Sequence, residues 1–227
     1  MIKDRIKAAV FDLDNTIYDY DKCDRYAVKK LRNHCRKVYG LSAENFDQLY
    51  EKAKSITKKR LGAAAASHNR MLYAQNLMEL LRKRPVSYAL ELYDIYWNAM
   101  LEHMEPYGYV LPLFEKLERI GIRIAVLTDL TVHIQHRKIR KLGIADYISV
   151  LVTSEEAGKE KPDKAAFELV LEKLNLMPHQ VIMVGDSYEK DIAGARNAGM
   201  HGILFSRESA GRIWTECIEQ MVYDDSM

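Results

Sequence analysis

A change of period along the chain constrains its fold more than any other feature. From Tyr107 onward, short apolar runs alternate with segments of helical spacing: a helix over Leu111–Ile120 closed by Gly121, a strand over Ile122–Leu127, a helix over Val132–Leu142 closed by Gly143, and a strand over Ile148–Thr153. The alternation continues through a helix over Lys164–Leu174, a strand over Val181–Val184, a helix over Ile192–Ala198 closed by Gly199, and a strand over Gly202–Leu204. Together with the run Ala8–Phe11, this pattern predicts five strands joined by right-handed helical crossovers, hence a parallel sheet.

Residues 21–104 interrupt the alternation. They contain no convincing strand, and their apolar positions (Tyr26, Leu31, Val38; Phe46, Leu49, Ala53; Met71, Leu77, Leu81; Leu92, Tyr96, Met100) fit four helices. Breaks fall at Gly40-Leu41-Ser42, around Gly62 and at Arg84-Pro85, with Ser42 and Ser87 as expected N-caps. The expected organisation is an α/β domain made of residues 1–20 and 105–227, with a helical domain of residues 21–104 inserted after its first strand.

That first strand runs into Asp12-Leu13-Asp14-Asn15-Thr16. The hydrophobic stretch stops at Phe11, so both acids sit where the strand opens, and strand ends are where open α/β sheets bind ligands. Two such carboxylates serve as nucleophile and proton donor, or as ligands of a hard cation; an isolated Asp-x-Asp is as readily a polar turn that caps a helix. Three further segments favour chemistry. The strand Val181–Val184 leads to Gly185-Asp186 and, five residues on, Asp191; Ile122–Leu127 leads to Thr128-Asp129; and Gly158-Lys159-Glu160-Lys161-Pro162-Asp163 sets a cation before a proline.

In this order the motifs resemble those of the haloacid dehalogenase-like hydrolases, in the branch with a helical cap inserted after the first motif, and among these the sugar-phosphate, nucleotide and N-acylneuraminate phosphatases. The resemblance runs from about Ile6 to Phe205 and implies a Rossmann-like core under a cap. It implies Asp12 as the nucleophile, forming an aspartyl-phosphate, and a carboxylate, already charged at neutral pH, needs no base to activate it. Mg2+ is the implied cofactor, held by the side chains of Asp12 and Asp186 and by the backbone carbonyl of Asp14. Asp14 is then the acid that protonates the leaving alcohol and the base that activates water; dehalogenases proper lack this second Asp, because a halide leaves without a proton.

Further roles follow from the same resemblance. Thr128 donates to the phosphoryl oxygens, Lys161 rather than Lys159 neutralises Asp12 and the phosphate, and Asp191 braces the metal site or Lys161 from behind. Asn15 and the amides around it and Asp129-Leu130 complete the phosphate cradle. The family often has Asn or Gly where this chain has Asp129, and a carboxylate there must point away from phosphate or pair with a cation. Substrate choice falls to the helical domain, where Ser67-His68-Asn69-Arg70 resembles a His-x-Arg stretch of related phosphatases. His68 and Arg70 are the expected recognition pair, although the same residues suit an ordinary helix N-terminus.

The expected activity is therefore Mg2+-dependent hydrolysis of a small phosphorylated metabolite, a sugar phosphate or nucleotide monophosphate. A phosphomutase of the same fold is the alternative enzyme. A non-catalytic regulatory homologue is the alternative of another class, and the intact set Asp12, Asp14, Lys161 and Asp186 argues against it.

Composition excludes other classes. With 34 basic and 32 acidic residues there is no net field to draw the chain to nucleic acid or a membrane surface. The cluster Lys52, Lys54, Lys58, Lys59 and Arg60 could meet an anionic substrate, although a charge run of this kind is usually a solvated helix face. Cys23, Cys35 and Cys217 lack the pairing of a disulfide framework and the spacing of a zinc site. No run approaches a membrane span, and Met1–Arg5 has no apolar leader, so the expected setting is the cytoplasm and the expected assembly a monomer or homodimer.

Overall fold

The computed structural model describes residues 6–206. In chain order the elements are β1 (Ala8–Phe11), α1 (Tyr20–Tyr39), α2 (Ala43–Leu61), α3 (Arg70–Leu80), α4 (Pro85–Glu102), α5 (Val110–Arg119), β2 (Arg123–Thr128) and α6 (Val132–Lys141). These are followed by β3 (Ile148–Thr153), α7 (Ser154–Ala157), α8 (Lys164–Leu174), β4 (Val181–Gly185), a π-helical turn at Tyr188–Ala193, α9 (Gly194–Asn197) and β5 (His201–Leu204). The chain divides into two compact units, one running up to Asp19 and resuming at Glu105, the other Tyr20–Met104.

The first unit is an α/β fold with an all-parallel five-stranded sheet in the order β3-β2-β1-β4-β5. β1 is central and buried on both faces, which is why its sequence is continuously apolar rather than alternating. The pleat sends Ala8 and Val10 to the face that packs with Phe167, Val170 and Leu174 of α8, and Phe11 to the other, where its ring meets Phe114 of α5 at 5.0 Å. α8 and α9 pack closely because residue 194, the first of α9, is glycine: a Cβ there would lie 2.5 Å from the Phe167 ring of α8. Strands are added outward on one side of β1 and then, from β4, on the other, so a topological switch point lies beside β1 and opens a crevice at the carboxyl ends of β1 and β4.

The second unit is helical. Leu31 and Cys35 of α1, Phe46, Tyr50 and Ala53 of α2, Tyr73, Leu77 and Met78 of α3, and Ala89 and Leu92 of α4 form one buried cluster. Ser42 caps α2 by accepting from the Asn45 amide at 3.2 Å, and Asn69 caps α3 by accepting from the Met71 amide at 2.8 Å, each arrangement worth about 1 kcal/mol.

Two local expectations are corrected. Ser87 does not cap α4: the helix begins at Pro85, whose fixed φ suits the first helical position, and Ser87 lies inside it. The helix expected over Ile192–Ala198 begins earlier, as a π turn from Tyr188, in which both the Asp191 and Ile192 amides donate to the Ser187 carbonyl. Such turns insert a residue into the helical ladder and re-aim a side chain; here that side chain is Asp191. Cys217 and the segment 211–227 lie outside the described residues.

Candidate active site

The register of the sheet brings the motif residues to one edge. Phe11 is aligned with Val126 of β2 and Val184 of β4, and the Asp12 amide continues the ladder onto the Val184 carbonyl at 2.8 Å. Asp12, Thr128 and Asp186 therefore leave three neighbouring strands at the same end. The loop before α8 brings Lys161 beneath them. Its ammonium lies 2.6 Å from Asp12 Oδ1 and 2.6 Å from Asp191 Oδ1, all three groups being buried. The other Asp191 oxygen accepts from the Ser187 amide at 3.0 Å, so the π turn fixes the carboxylate that fixes the lysine.

With both carboxylates ionised, this triad holds one positive charge against two negative ones. Burial pushes the Asp12 carboxyl up to about 8; Lys161 opposes that shift, while Asp191 and Asp14 add to it. For Lys161 the signs reverse. Burial disfavours its charge, yet Asp12 and Asp191 outweigh burial and hold it above the ordinary lysine range. Asp186 is also raised, by partial burial first and then by Asp191. Oxygens of Asp12, Asp186 and Asp191 all lie within 4.8 Å of one another. A cluster of hard oxygen donors that is short of positive charge has the chemistry Mg2+ requires, and the residues present fit that ion.

Asp14 is occupied by a residue that sequence reasoning missed. Lys138, fully buried on α6, donates to both Asp14 oxygens, at 2.8 and 2.9 Å, and the Tyr18 hydroxyl donates to Asp14 Oδ1 at 2.7 Å. Gln135, one turn earlier on α6, donates to Thr128 Oγ1 at 2.8 Å and to the Asp129 carbonyl at 2.5 Å. The signal was present: the buried face of α6 is Ile134, Gln135, Lys138 and Ile139, so a glutamine and a lysine stand where helical period asks for apolar residues.

Asp129 has the cation its position demands. Its carboxylate accepts from the Lys161 amide at 3.1 Å and from Lys190 Nζ at 3.0 Å. The Leu130 amide donates to Ser154 Oγ at 2.9 Å, with Leu130 at φ 97°. That amide is thus engaged within the protein rather than directed to a ligand. Asn15 adopts φ 63° in the turn after β1, a conformation Asn accepts more readily than most residues, and the neighbouring Thr16 hydroxyl donates to Asp12 Oδ2 at 3.4 Å.

His68 and Arg70 belong to the helical unit. His68 ends a 3-10 turn, Ala65–His68, and its carbonyl accepts from Arg70 at 2.7 Å. The second terminal nitrogen of Arg70 donates to the hydroxyls of Tyr20 and Tyr96, and the guanidinium lies 5.5 Å from the Tyr73 ring centroid and 5.7 Å from that of Trp97. Asp24 completes the group 3.7 Å from Arg70 and accepts from Tyr96. Arg70 is thus packed into an aromatic cage within its own unit.

Fold and sheet-edge chemistry define an α/β protein with a carboxylate-lysine site at the ends of its parallel strands, and comparison with known proteins gives its family. The haloacid dehalogenase-like hydrolase profile matches residues 6–199, and the chain belongs to that family. It is similar to a ribulose-1,5-bisphosphate 5-phosphatase of Halopiger xanaduensis, 38% identical with 92% of this chain and 91% of that protein covered. A glyceraldehyde 3-phosphate phosphatase of Methanothermobacter thermautotrophicus is 27% identical, with 89% and 87% covered. Among solved structures, a 2-haloacid dehalogenase from Pseudomonas syringae superposes with a TM-score of 0.73 at 24% identity, covering 88% of this chain and 86% of that one; at that identity the likeness is one of fold. No described helix is long and apolar enough to cross a membrane.

Proposed function

We propose that the protein is a Mg2+-dependent phosphatase of small phosphorylated metabolites, acting through an aspartyl-phosphate on Asp12. The observation that carries this reading is the placement of Lys161 between Asp12 and Asp191, with Asp186 beside them. A phosphate dianion approaching Asp12 is repelled unless cations meet it, and Lys161 supplies one of them. Side-chain oxygens of Asp12 and Asp186 and the carbonyl of Asp14 would hold Mg2+, which supplies the remaining charge. The names of the relatives favour sugar phosphates over nucleotides as the substrate class.

In this mechanism an Asp12 oxygen attacks phosphorus as the bond to the leaving oxygen breaks, and Asp14 gives that oxygen its proton. Asp14 then takes a proton from water, whose oxygen displaces the Asp12 carboxylate and releases phosphate. Thr128, with its hydroxyl set by Gln135, donates to the phosphoryl group, and Asn15 of the turn after β1 adds to the phosphate cradle. Asp129 serves by tying Lys190 and the Lys161 loop in place. The helical unit, including His68, is the part of the chain that selects the substrate. Cys23 and Cys35, buried and not joined in a disulfide, suit a reducing cytoplasm.

A panel of sugar phosphates and nucleotide monophosphates assayed for phosphate release with Mg2+ tests the reading. Asp12→Asn, nearly isosteric but not nucleophilic, should keep its circular dichroism spectrum and lose turnover on every substrate. Activity within tenfold of wild type would exclude the covalent route.

A further inference from the structure

The lysine on α6 raises a question the phosphatase reading leaves open. Lys138 is fully buried, and its ammonium donates to both oxygens of Asp14. Burying an ammonium costs several kcal/mol unless a carboxylate meets it in good geometry, and Asp14, partly exposed at the strand end, is the carboxylate it meets. The Tyr18 hydroxyl adds a third hydrogen bond, and the Tyr18 ring lies 5.9 Å from the Lys138 ammonium. Three hydrogen bonds from two groups fix the position and rotation of one small carboxylate. None of them comes from Lys161, which belongs to Asp12 and Asp191.

Helix α6 therefore reaches two motifs at once, through Gln135 to Thr128 and through Lys138 to Asp14. We infer that Lys138 is a positioning residue for proton transfer by Asp14. It holds that carboxyl toward the leaving oxygen and carries the countercharge for the carboxylate left behind. The inference rests on the reading of Asp14 as the group that protonates the leaving alcohol. In that half-reaction the Asp12 oxygen forms its bond to phosphorus, the phosphorus–alkoxide bond breaks, and the Asp14 proton moves to the alkoxide. Lys138 exchanges no proton and touches no substrate. Its effect is confined to leaving groups that need the proton.

Leaving groups separate this role from a structural one. p-Nitrophenolate departs from phosphorus without a proton, whereas an alkoxide does not, and kcat/KM reports the step in which either departs. The experiment compares glycerol 3-phosphate with p-nitrophenyl phosphate in wild type, Lys138→Met, Lys138→Arg and Asp14→Asn, with folding checked by circular dichroism. Positioned proton transfer is worth about 10²–10⁴-fold. The Met variant should therefore lose at least about tenfold more kcat/KM on glycerol 3-phosphate than on p-nitrophenyl phosphate, and the Arg variant should recover part of that difference.

Equal losses on both substrates in the Met variant, with a clear split in Asp14→Asn, would overturn the role of Lys138 and leave that of Asp14 standing. No split in Asp14→Asn would overturn the reading of Asp14, and the inference with it. Should the Met variant not fold, Lys138→Gln, which remains polar but uncharged, must show the same split, and equal losses in it count against the inference.

Discussion

A Cβ at Gly185 would lie 2.2 Å from Asp191 Oδ2. The last residue of β4 thus leaves room for the carboxylate that holds Lys161, and the backbone of one strand end sets the charge balance at another. Gly185→Ala must displace Asp191 or the strand. Overpacking of this kind costs about 1–3 kcal/mol, and loosening the buried Asp191–Lys161 pair adds to it. Urea unfolding should show that loss together with a fall in kcat. Gly108→Ala, where a Cβ meets nothing within 4 Å, is the control and should stay within about 0.5 kcal/mol of wild type.

Arg70→Ala should act through stability. The guanidinium is bonded to Tyr20, Tyr96 and the His68 carbonyl and stacked among aromatic rings. Its removal strips several partners of a buried cation at once, a loss of about 2–4 kcal/mol, less than a fully buried pair because Asp24 is partly exposed. Thermal and urea melts check it. Undiminished stability with a selective loss of kcat/KM on the best substrate would instead return Arg70 to substrate recognition.

Metal binding should be visible without any assay of activity. Mg2+ that binds only the folded protein stabilises it by about 2.7 kcal/mol at a hundredfold excess over Kd, and differential scanning calorimetry should record a rise in Tm that EDTA reverses. Asp186→Ala should abolish most of that rise. An unchanged Tm in wild type would remove Mg2+ from this cluster.

The pH dependence follows from Asp12, whose carboxyl burial pushes up to about 8. In the metal-free protein the folded state binds this proton more tightly than the unfolded chain does. The stability it contributes is complete below the ordinary carboxylate range and is lost as pH rises toward about 8. Mg2+ must displace the same proton, so at fixed total metal its stabilisation should grow between about pH 6 and pH 8. Calorimetry with Mg2+ and with EDTA across that range measures it, and a rise in Tm of the same size at both ends would contradict the assignment.

Strands β1, β2 and β4 were legible because they are buried apolar runs that lead into an acid, and buried parallel strands are continuously apolar. Asp12, Asp129 and Asp186 were legible because those three runs lead to them. What stayed hidden depends on contacts remote in sequence. Lys138 and Asp14 are 124 residues apart, and only the misfit of a lysine on an apolar helical stripe marks it. The pairing of Lys190 with Asp129 spans 61 residues and leaves no local trace. Arg70 read as a ligand-binding arginine because its motif is surface-like, while the aromatic residues that enclose it come from three helices, α1, α3 and α4. The π turn escaped because hydrophobic period starts the helix at Ile192, whereas Ser187 starts it by accepting two backbone amides.

A covalent bond between Asp12 and phosphorus can be trapped chemically. An acyl phosphate is reduced by borohydride to an alcohol, whereas a free carboxylate is not. Wild-type protein turning over a sugar phosphate with Mg2+, quenched and treated with borohydride, should yield by mass spectrometry a peptide with homoserine at position 12, absent when substrate or Mg2+ is omitted. Reduction at another carboxylate, or none at all under conditions where phosphate is released, would contradict Asp12 as the nucleophile.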